Sequence, residues 1–317
     1  MCFACDYPIQ WDIQLGLGFM IVVTGGSGFV GAYVCNHLAE QGHSVRIIDI
    51  APPPFGVKAE FVRASVLDVA RLARLVPGAE AIIHLAALVD VNASVEDPFS
   101  DFQVNVQGTL NVLEAAKSAG IEKVSYASSA AVYGEPVQIP ISEDHPTEPS
   151  SPYGLSKLCA ERYVLLYNKL YGMKNNALRL FNVYGKGQSA GSPYSGVITK
   201  FTDAISSNRQ PIIFGDGSQT RDFVHAKDVA NAFSLSLQRG GFDFPLNIGA
   251  GMEISVLSLL EKMSAISSKE ANPKFMPQRK GEIKRSIPDI SLAGQKLGYY
   301  PKIEFEEGLR EILSERQ

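Results

Sequence analysis

The sequence predicts an α/β protein: a doubly wound parallel sheet followed by a smaller C-terminal α/β lobe. Three observations predict it. From residue 20 to about 180, apolar strand-like runs alternate with segments of helical periodicity. The first of those runs ends in a glycine cluster that opens directly into a helical pattern. After Phe181 glycine and proline become frequent and the elements shorten, which reads as a second lobe closing over the carboxyl ends of the strands.

Residues 1–19 stand apart. They hold the only Trp, two Asp and no Lys or Arg, so they are no secretory signal peptide and are expected to be a dispensable extension. The strands are expected at 20–24, 44–49, about 60–63, 80–85, 123–128 and 176–181, with helices at 29–42, 68–76, 99–119 and 152–171. The run Ile21-Val22-Val23 suits a buried parallel strand. Pro52-Pro53-Pro54 makes a stiff loop after the second strand. Residues 20–181 are read as one domain and 182–317 as the other, with 224–250 packing back onto the first.

The glycines satisfy two spacings at once, Gly25-x-x-Gly28-x-x-Gly31 and Gly26-x-Gly28-x-x-Gly31. A side chain at the turn would keep the backbone from a pyrophosphate, and one at Gly31 would hold the helix off the strand. The helix N-terminus offers free N–H groups and a positive dipole end to that pyrophosphate. Asp49 ends the second strand about 20 residues further on, where a carboxylate accepts ribose hydroxyls. The same carboxylate repels a 2′-phosphate, so the reading is NAD rather than NADP.

Composition narrows the field. A net charge of -4 and a pI near 5.8 argue against nucleic acid or an anionic membrane as main partner. No apolar run reaches the length of a membrane span. The four cysteines are scattered; Cys35 and Cys159 fall within expected helices, which suggests free thiols in a reducing, cytoplasmic setting. Cys2-x-x-Cys5 lacks a second pair and the five histidines are dispersed, so no metal site is expected.

The chemistry-bearing stretches are Tyr126 to Gly134 and Tyr153-Gly-Leu-Ser-Lys157. Tyr153 and Lys157 lie one turn apart on a helix face, and none of the other tyrosines has a Lys four residues on. A phenol is a poor base at neutral pH; a neighbouring ammonium and a cationic nicotinamide ring favour the phenolate. Ser128 or Ser129 supplies a hydroxyl to steer the proton.

Six stretches in series, Thr24 to Gly31, His84-Leu-Ala-Ala87, Ser128 to Gly134, Tyr153-x-x-x-Lys157, Arg179 to Gly185 and Arg221-Asp-Phe-Val-His225, resemble the extended short-chain dehydrogenase/reductase family. Within it the chain is most similar, from Met20 to about Leu309, to NAD-dependent nucleotide-sugar epimerases of the UDP-glucose (UDP-galactose) 4-epimerase type. The resemblance implies a Rossmann-like fold, NAD as cofactor and a UDP-sugar as substrate, epimerised at C4 through a transient 4-keto sugar. It implies cofactor contacts at Gly25, Gly28, Phe29, Val30, Gly31, Asp49, Ser65, Val66, Leu85, Ala86, Ala87, Tyr153 and Lys157. Ser129, Tyr153 and Lys157 would be catalytic; Ser129 and Tyr153, with Asn182, Arg221, Arg279 and Ser286, would face the substrate.

Plainer readings stand beside these. His84 and His225 are read as structural histidines, Asn105 as a backbone tie beside the site, and Arg179 as a sheet-edge ion-pair partner. Arg221 and Arg279 are either surface charges or diphosphate ligands, for which guanidinium forks are suited. Other enzymes on the scaffold are a reductase, and a dehydratase or decarboxylase that would need acids where this chain has Ala130 and Ala131. A non-catalytic NAD-binding regulator would tend to lack Tyr153 or Lys157. Helices 99–119 and 152–171 carry surplus apolar residues, counted as Val164, Leu165, Tyr167 and Leu170, which suggests a homodimer. Ser286 occupies the place of the family's gate to the sugar 2-position, where a small residue leaves room for an N-acetyl group.

Overall fold

Six strands from residues 20–180 and a seventh from far downstream build one parallel sheet. The computed structural model describes residues 19–188, 196–278 and 283–314. Strands β1 (Met20–Thr24), β2 (Ser44–Asp49), β3 (Glu60–Arg63), β4 (Ala81–His84), β5 (Lys123–Ser129) and β6 (Asn176–Leu180) fall close to the expected places. After β6 come β7 (Asn182–Tyr184), β8 (Ile212–Phe214), β9 (Thr220–Arg221), β10 (Phe223–His225), β11 (Leu246–Ile248), β12 (Ile254–Ser255), β13 (Lys274–Met276) and β14 (Arg285–Ser286). In the main sheet the order is β3-β2-β1-β4-β5-β6-β11, every pair parallel. Runs such as Val22–Val23 and Ile82–Ile83 are buried because helices cover both faces of such a sheet.

The helices are α1 (Phe29–Glu40), α2 (Val69–Leu75), α3 (Val91–Glu96), α4 (Pro98–Phe102), α5 (Gly108–Ser118), α6 (Pro152–Tyr171), α7 (Val197–Ser206), α8 (Ala226–Gln238), α9 (Val256–Ser267), α10 (Ser291–Leu297) and α11 (Phe305–Ser314). One face of the sheet packs Val34 and Leu38 of α1, Val229 and Phe233 of α8 and Leu297 of α10. The other packs Leu72 of α2, Val112 and Leu113 of α5 and Val164 of α6. A separate core in the second lobe joins α7, α9 and α11 through Phe201, Leu259, Phe305 and Leu309. Thus α8 packs on the sheet and β11 joins its edge, although both follow β7 to β10 in the chain.

Two expectations are corrected. The helix expected over 99–119 is not uniform: α4 and α5 are joined by a π-helical turn, Gln103–Gln107, which carries Asn105. Nor are Val164, Leu165 and Tyr167 surplus. All three are buried in the core beneath α6, and Tyr167 Oη donates to Glu114 of α5 at 2.5 Å. Only Leu170 of that set is exposed. The apolar surface of this region instead includes Leu155, Leu166 and Leu170 on α6 with Phe99 and Phe102 on α4. Among the described residues no helix is long and apolar enough to cross a membrane.

Candidate active site

β1, β4 and β5 lie side by side and end at Thr24, His84 and Ser129. The chain's winding reverses between β1 and β4, the crevice where sheets of this kind bind ligands. Gly25 leaves β1 with φ +73°, and a Cβ there would stand 2.4 Å from the Ala86 backbone nitrogen. A Cβ on Gly31 would stand 2.4 Å from the Gly25 oxygen. Backbone touches backbone at both positions, so only glycine fits. Gly28 begins α1 without a side-chain cap, and no acid occupies the first turn. The N–H groups of Phe29, Val30 and Gly31 therefore have no intrahelical acceptor.

The remaining expected cofactor contacts border this loop. Asp49 accepts from Ser27 N at 3.0 Å and from Ile50 N at 2.7 Å, which turns its carboxylate toward the glycine turn. Leu85 N donates to the Thr24 oxygen at 2.9 Å, and Leu85, Ala86 and Ala87 are only partly buried. Ser65 Oγ accepts from Leu67 N, while Val66 is buried and its carbonyl accepts from Asn111.

The second group is set by the start of α6. Ser151 caps it by accepting from Gly154 N at 3.1 Å, and Pro152 supplies a first-turn φ that suits a helix. A Cβ on Gly154 would stand 2.6 Å from the Ala131 oxygen, so α6 presses on the turn after Ser129. Tyr153 N donates to Ser94 Oγ at 3.1 Å. Burial pushes the Tyr153 phenol up, and a hydrogen bond with the Ser129 side chain pulls it part of the way back.

Lys157 stands one turn further along α6. Its Nζ donates to the Ala127 oxygen at 2.8 Å and stands 4.9 Å over the Tyr126 ring. Burial brings the ammonium down to about 7, with Asp101 acting the other way.

His84 bridges Thr24 Oγ1 at 2.6 Å and Thr109 Oγ1 at 2.9 Å, and burial drops it to about 3, so it is a neutral structural group. His225 caps α8, its Nδ1 accepting from Lys227 N. Asn105 pairs with both backbone groups of Leu88, at 2.8 and 2.9 Å. Arg179 is not at a sheet edge: β6 lies between β5 and β11, and the guanidinium is 1% exposed. Its fork meets Glu161 at 2.9 and 2.6 Å, and Nη1 reaches Tyr133 Oη at 2.8 Å. Ser128 Oγ adds a 2.6 Å bond to the same carboxylate.

A third group lies in the second lobe. Asn182 Nδ2 donates to the Asp222 oxygen at 2.9 Å. Ser286 and Arg221 are register partners in the parallel pair β14–β9, and Ser286 is buried. Arg279 lies outside the described residues.

The model of a family described as NAD-dependent epimerase/dehydratase matches residues 21–249. The chain belongs to that family. It is similar to the UDP-glucose 4-epimerase of Mycolicibacterium smegmatis, 36% identical over 91% of this chain and 95% of that one. It is also similar to the UDP-N-acetylglucosamine 4-epimerase of Methanobrevibacter ruminantium M1, solved with UDP-N-acetylmuramic acid. That match has a TM-score of 0.88 at 34% identity and covers 94% of this chain and 98% of the other. The UDP-glucose 4-epimerase of Thermotoga maritima, solved with UDP-glucose, has TM-score 0.88 at 34% identity, covering 93% and 98%.

The cofactor of this epimerase/dehydratase family is NAD. The chain fits it: the glycine turn admits no Cβ at Gly25 or Gly31, and the uncapped end of α1 faces an anion's place. Four residues of the surroundings were not singled out in the sequence, although Asp222 lies within the Arg221–His225 stretch. Ser94 holds the Tyr153 backbone, Asp101 acts on Lys157, Glu161 holds Arg179, and Asp222 bonds Asn182. For Glu161 a signal existed, since it stands four residues after Lys157 and shares its helix face. Ser94 and Asp101 come from a distant segment and leave no local mark.

Proposed function

We propose that this protein interconverts the C4 epimers of a UDP-hexose, with 20–181 as the NAD-binding domain and 182–317 as the substrate lobe. The observation that carries the reading is Tyr153 set against Ser129 where β5 ends and α6 begins, with Lys157 one turn on and bonded to the Ala127 oxygen of β5. Gly25, Gly28 and Gly31, with the free N–H groups of α1, would hold the NAD pyrophosphate, and Asp49 the adenosine ribose. Ser65, Val66 and residues 85–87 would border it, and Lys157 would hold the second ribose. When bound, NAD supplies a reversible hydride acceptor. Tyr153 Oη takes the proton of the sugar's C4 hydroxyl and returns one to that oxygen in the product epimer. The Ser129 hydroxyl steers that proton. Ala130 and Ala131 hold no proton to transfer, so elimination and decarboxylation are disfavoured. Asn182, Arg221 and Arg279 would hold the diphosphate.

Ser286 bears on the sugar. A serine leaves unfilled the volume an aromatic ring would take, and the two solved relatives above differ in whether their named sugar is N-acetylated. The protein should turn over UDP-galactose and UDP-N-acetylgalactosamine, with kcat/KM values within about tenfold of one another. Ser286→Tyr should cut the N-acetyl value by about a hundredfold and spare the plain hexose. Separation of epimers after incubation with each sugar reads this. Failure of the wild type on every UDP-hexose would sink the reaction; an unimpaired Tyr variant would sink the gate alone.

The exposed stripe of Leu155, Leu166 and Leu170, beside Phe99 and Phe102, supports a homodimer in which α6 and the α4–α5 segment pack against their own copies. Leu166→Glu with Leu170→Glu should convert a two-chain sedimentation mass to one chain at micromolar concentration. A wild type that already sediments as one chain refutes the assembly. Cys35 and Cys159 are free thiols, in keeping with a cytoplasmic protein.

A further inference from the structure

Three of the proposed substrate contacts meet the backbone of one residue, Asp222, whose side chain is a buried carboxylate. Asp222 directly follows Arg221. Its carbonyl accepts from Asn182 Nδ2 at 2.9 Å, and its N–H donates to the Ser286 oxygen at 3.0 Å. Its side chain points the other way, into the loop that leaves β11. Oδ1 accepts from Ala250 N at 2.9 Å and Oδ2 from Met252 N at 2.9 Å. The carboxylate is fully buried.

The loop fits this one acid. A Cβ on Gly249 would stand 2.6 Å from Asp222 Oδ1 and 2.5 Å from Pro288 Cγ, so the glycine lets three segments close on each other. Tyr299 Oη holds the same loop from behind, donating to the Gly249 oxygen at 2.9 Å. The loop starts two residues past Asn247, whose Nδ2 donates to the Ile141 oxygen at 2.9 Å and lies 3.2 Å from the Asp289 oxygen. β11 itself is paired to β6 in the sheet that carries Ser129. A continuous set of bonds therefore runs from the sheet through loop 249–252 to Asp222, and from Asp222 to Asn182, Arg221 and Ser286.

We infer that Asp222 is a positioning residue of the substrate site, which places Asn182, Arg221 and Ser286 relative to Tyr153 and so sets affinity for the nucleotide rather than the rate of the chemical step. The inference rests on the substrate lobe proposed above. Burial raises the carboxyl to about 6 while the loop N–H groups hold it down, as expected of an acid kept ionised by backbone donors. An amide cannot replace it. Asparagine has one acceptor oxygen, and its NH₂ would face a backbone N–H.

The test compares wild type, Asp222→Asn and Tyr299→Phe as NAD-loaded proteins, by calorimetric titration with UDP and by steady-state kinetics with UDP-galactose. Asp222→Asn should weaken UDP binding about tenfold or more and raise KM alike, with kcat held within about threefold and NAD content unchanged. Tyr299→Phe loosens the same loop without touching the acid and should give the same split at about threefold. A lowered Tm with wild-type UDP affinity makes Asp222 merely structural and overturns the role, as does a fall in kcat at unchanged KM. If Asp222→Asn does not fold, Tyr299→Phe decides: weakened UDP binding supports the role and unchanged binding overturns it. A wild type that binds UDP more tightly than the variants but epimerises no UDP-hexose retires the proposed reaction and leaves the positioning role standing. A wild type that does not bind UDP removes both.

Discussion

Tyr153→Phe should lower kcat by at least about a thousandfold and leave the fold intact. General acid–base groups contribute about 10²–10⁴ in rate, and the variant deletes the oxygen that exchanges the proton while keeping the ring. The stability cost is one hydrogen bond, that with Ser129, or about 1 kcal/mol. In a chain of this size that moves Tm by only about 3 °C. Lys157→Met should lose nearly as much activity, with the opposite effect on the fold. The folded ammonium titrates near 7, below its unfolded value, so unfolding takes up a proton between those values and stability rises with pH through that window. At neutral pH and below, the buried charge is a cost that Met removes, against about 1–3 kcal/mol for leaving the Ala127 oxygen without its donor. The melting point of Lys157→Met at pH 7 should be no lower than that of wild type. Wild-type kcat in either variant, read by epimer separation, overturns the mechanism. A steep loss of Tm in Tyr153→Phe would mean that the hydroxyl is structural instead.

What could be read from the sequence was local. Gly25 and Gly31 are required by atoms within a few residues of one another and across one adjacent strand, and Tyr153 and Lys157 by a single helical turn. Such constraints print a fixed spacing. The ion pair of Arg179 was readable only as a pair, not as a buried one. Its depth depends on β11 arriving from some 70 residues downstream to cover β6. The same limit misplaced Val164, Leu165 and Tyr167: periodicity marks which residues are apolar, but α5 decides how many of them it covers. The depressed ammonium of Lys157 is likewise a matter of desolvation by distant segments, which no four-residue spacing reports. Asp222 stood in plain view beside Arg221, yet its partners Ala250 and Met252 are contributed by another strand's loop.

The buried pair also gives the largest expected change in stability. Glu161 and Arg179 are 0% and 1% exposed, so each charge has left water for the other. The guanidinium stays cationic because the Glu161 bonds outweigh the burial that works against it. Removing one partner leaves a buried charge without compensation, which costs about 3–5 kcal/mol. Glu161→Ala should accordingly lower Tm on the order of 10 °C. Activity should fall too, since Ser128 Oγ loses its 2.6 Å acceptor one residue before Ser129. Removing both charges is a different matter. Glu161→Leu with Arg179→Met keeps the volume and strands no ion, so the double variant should regain most of the loss; pairs of this kind often contribute little net stability over apolar packing. Denaturant unfolding of wild type, both single variants and the double variant measures the coupling. Recovery in the double variant locates the cost in the unpaired charge. A double variant as unstable as Glu161→Ala would locate it in the bonds to Tyr133 and Ser128, with the pair acting as a bracket for β5 and α6 rather than as two charges in balance.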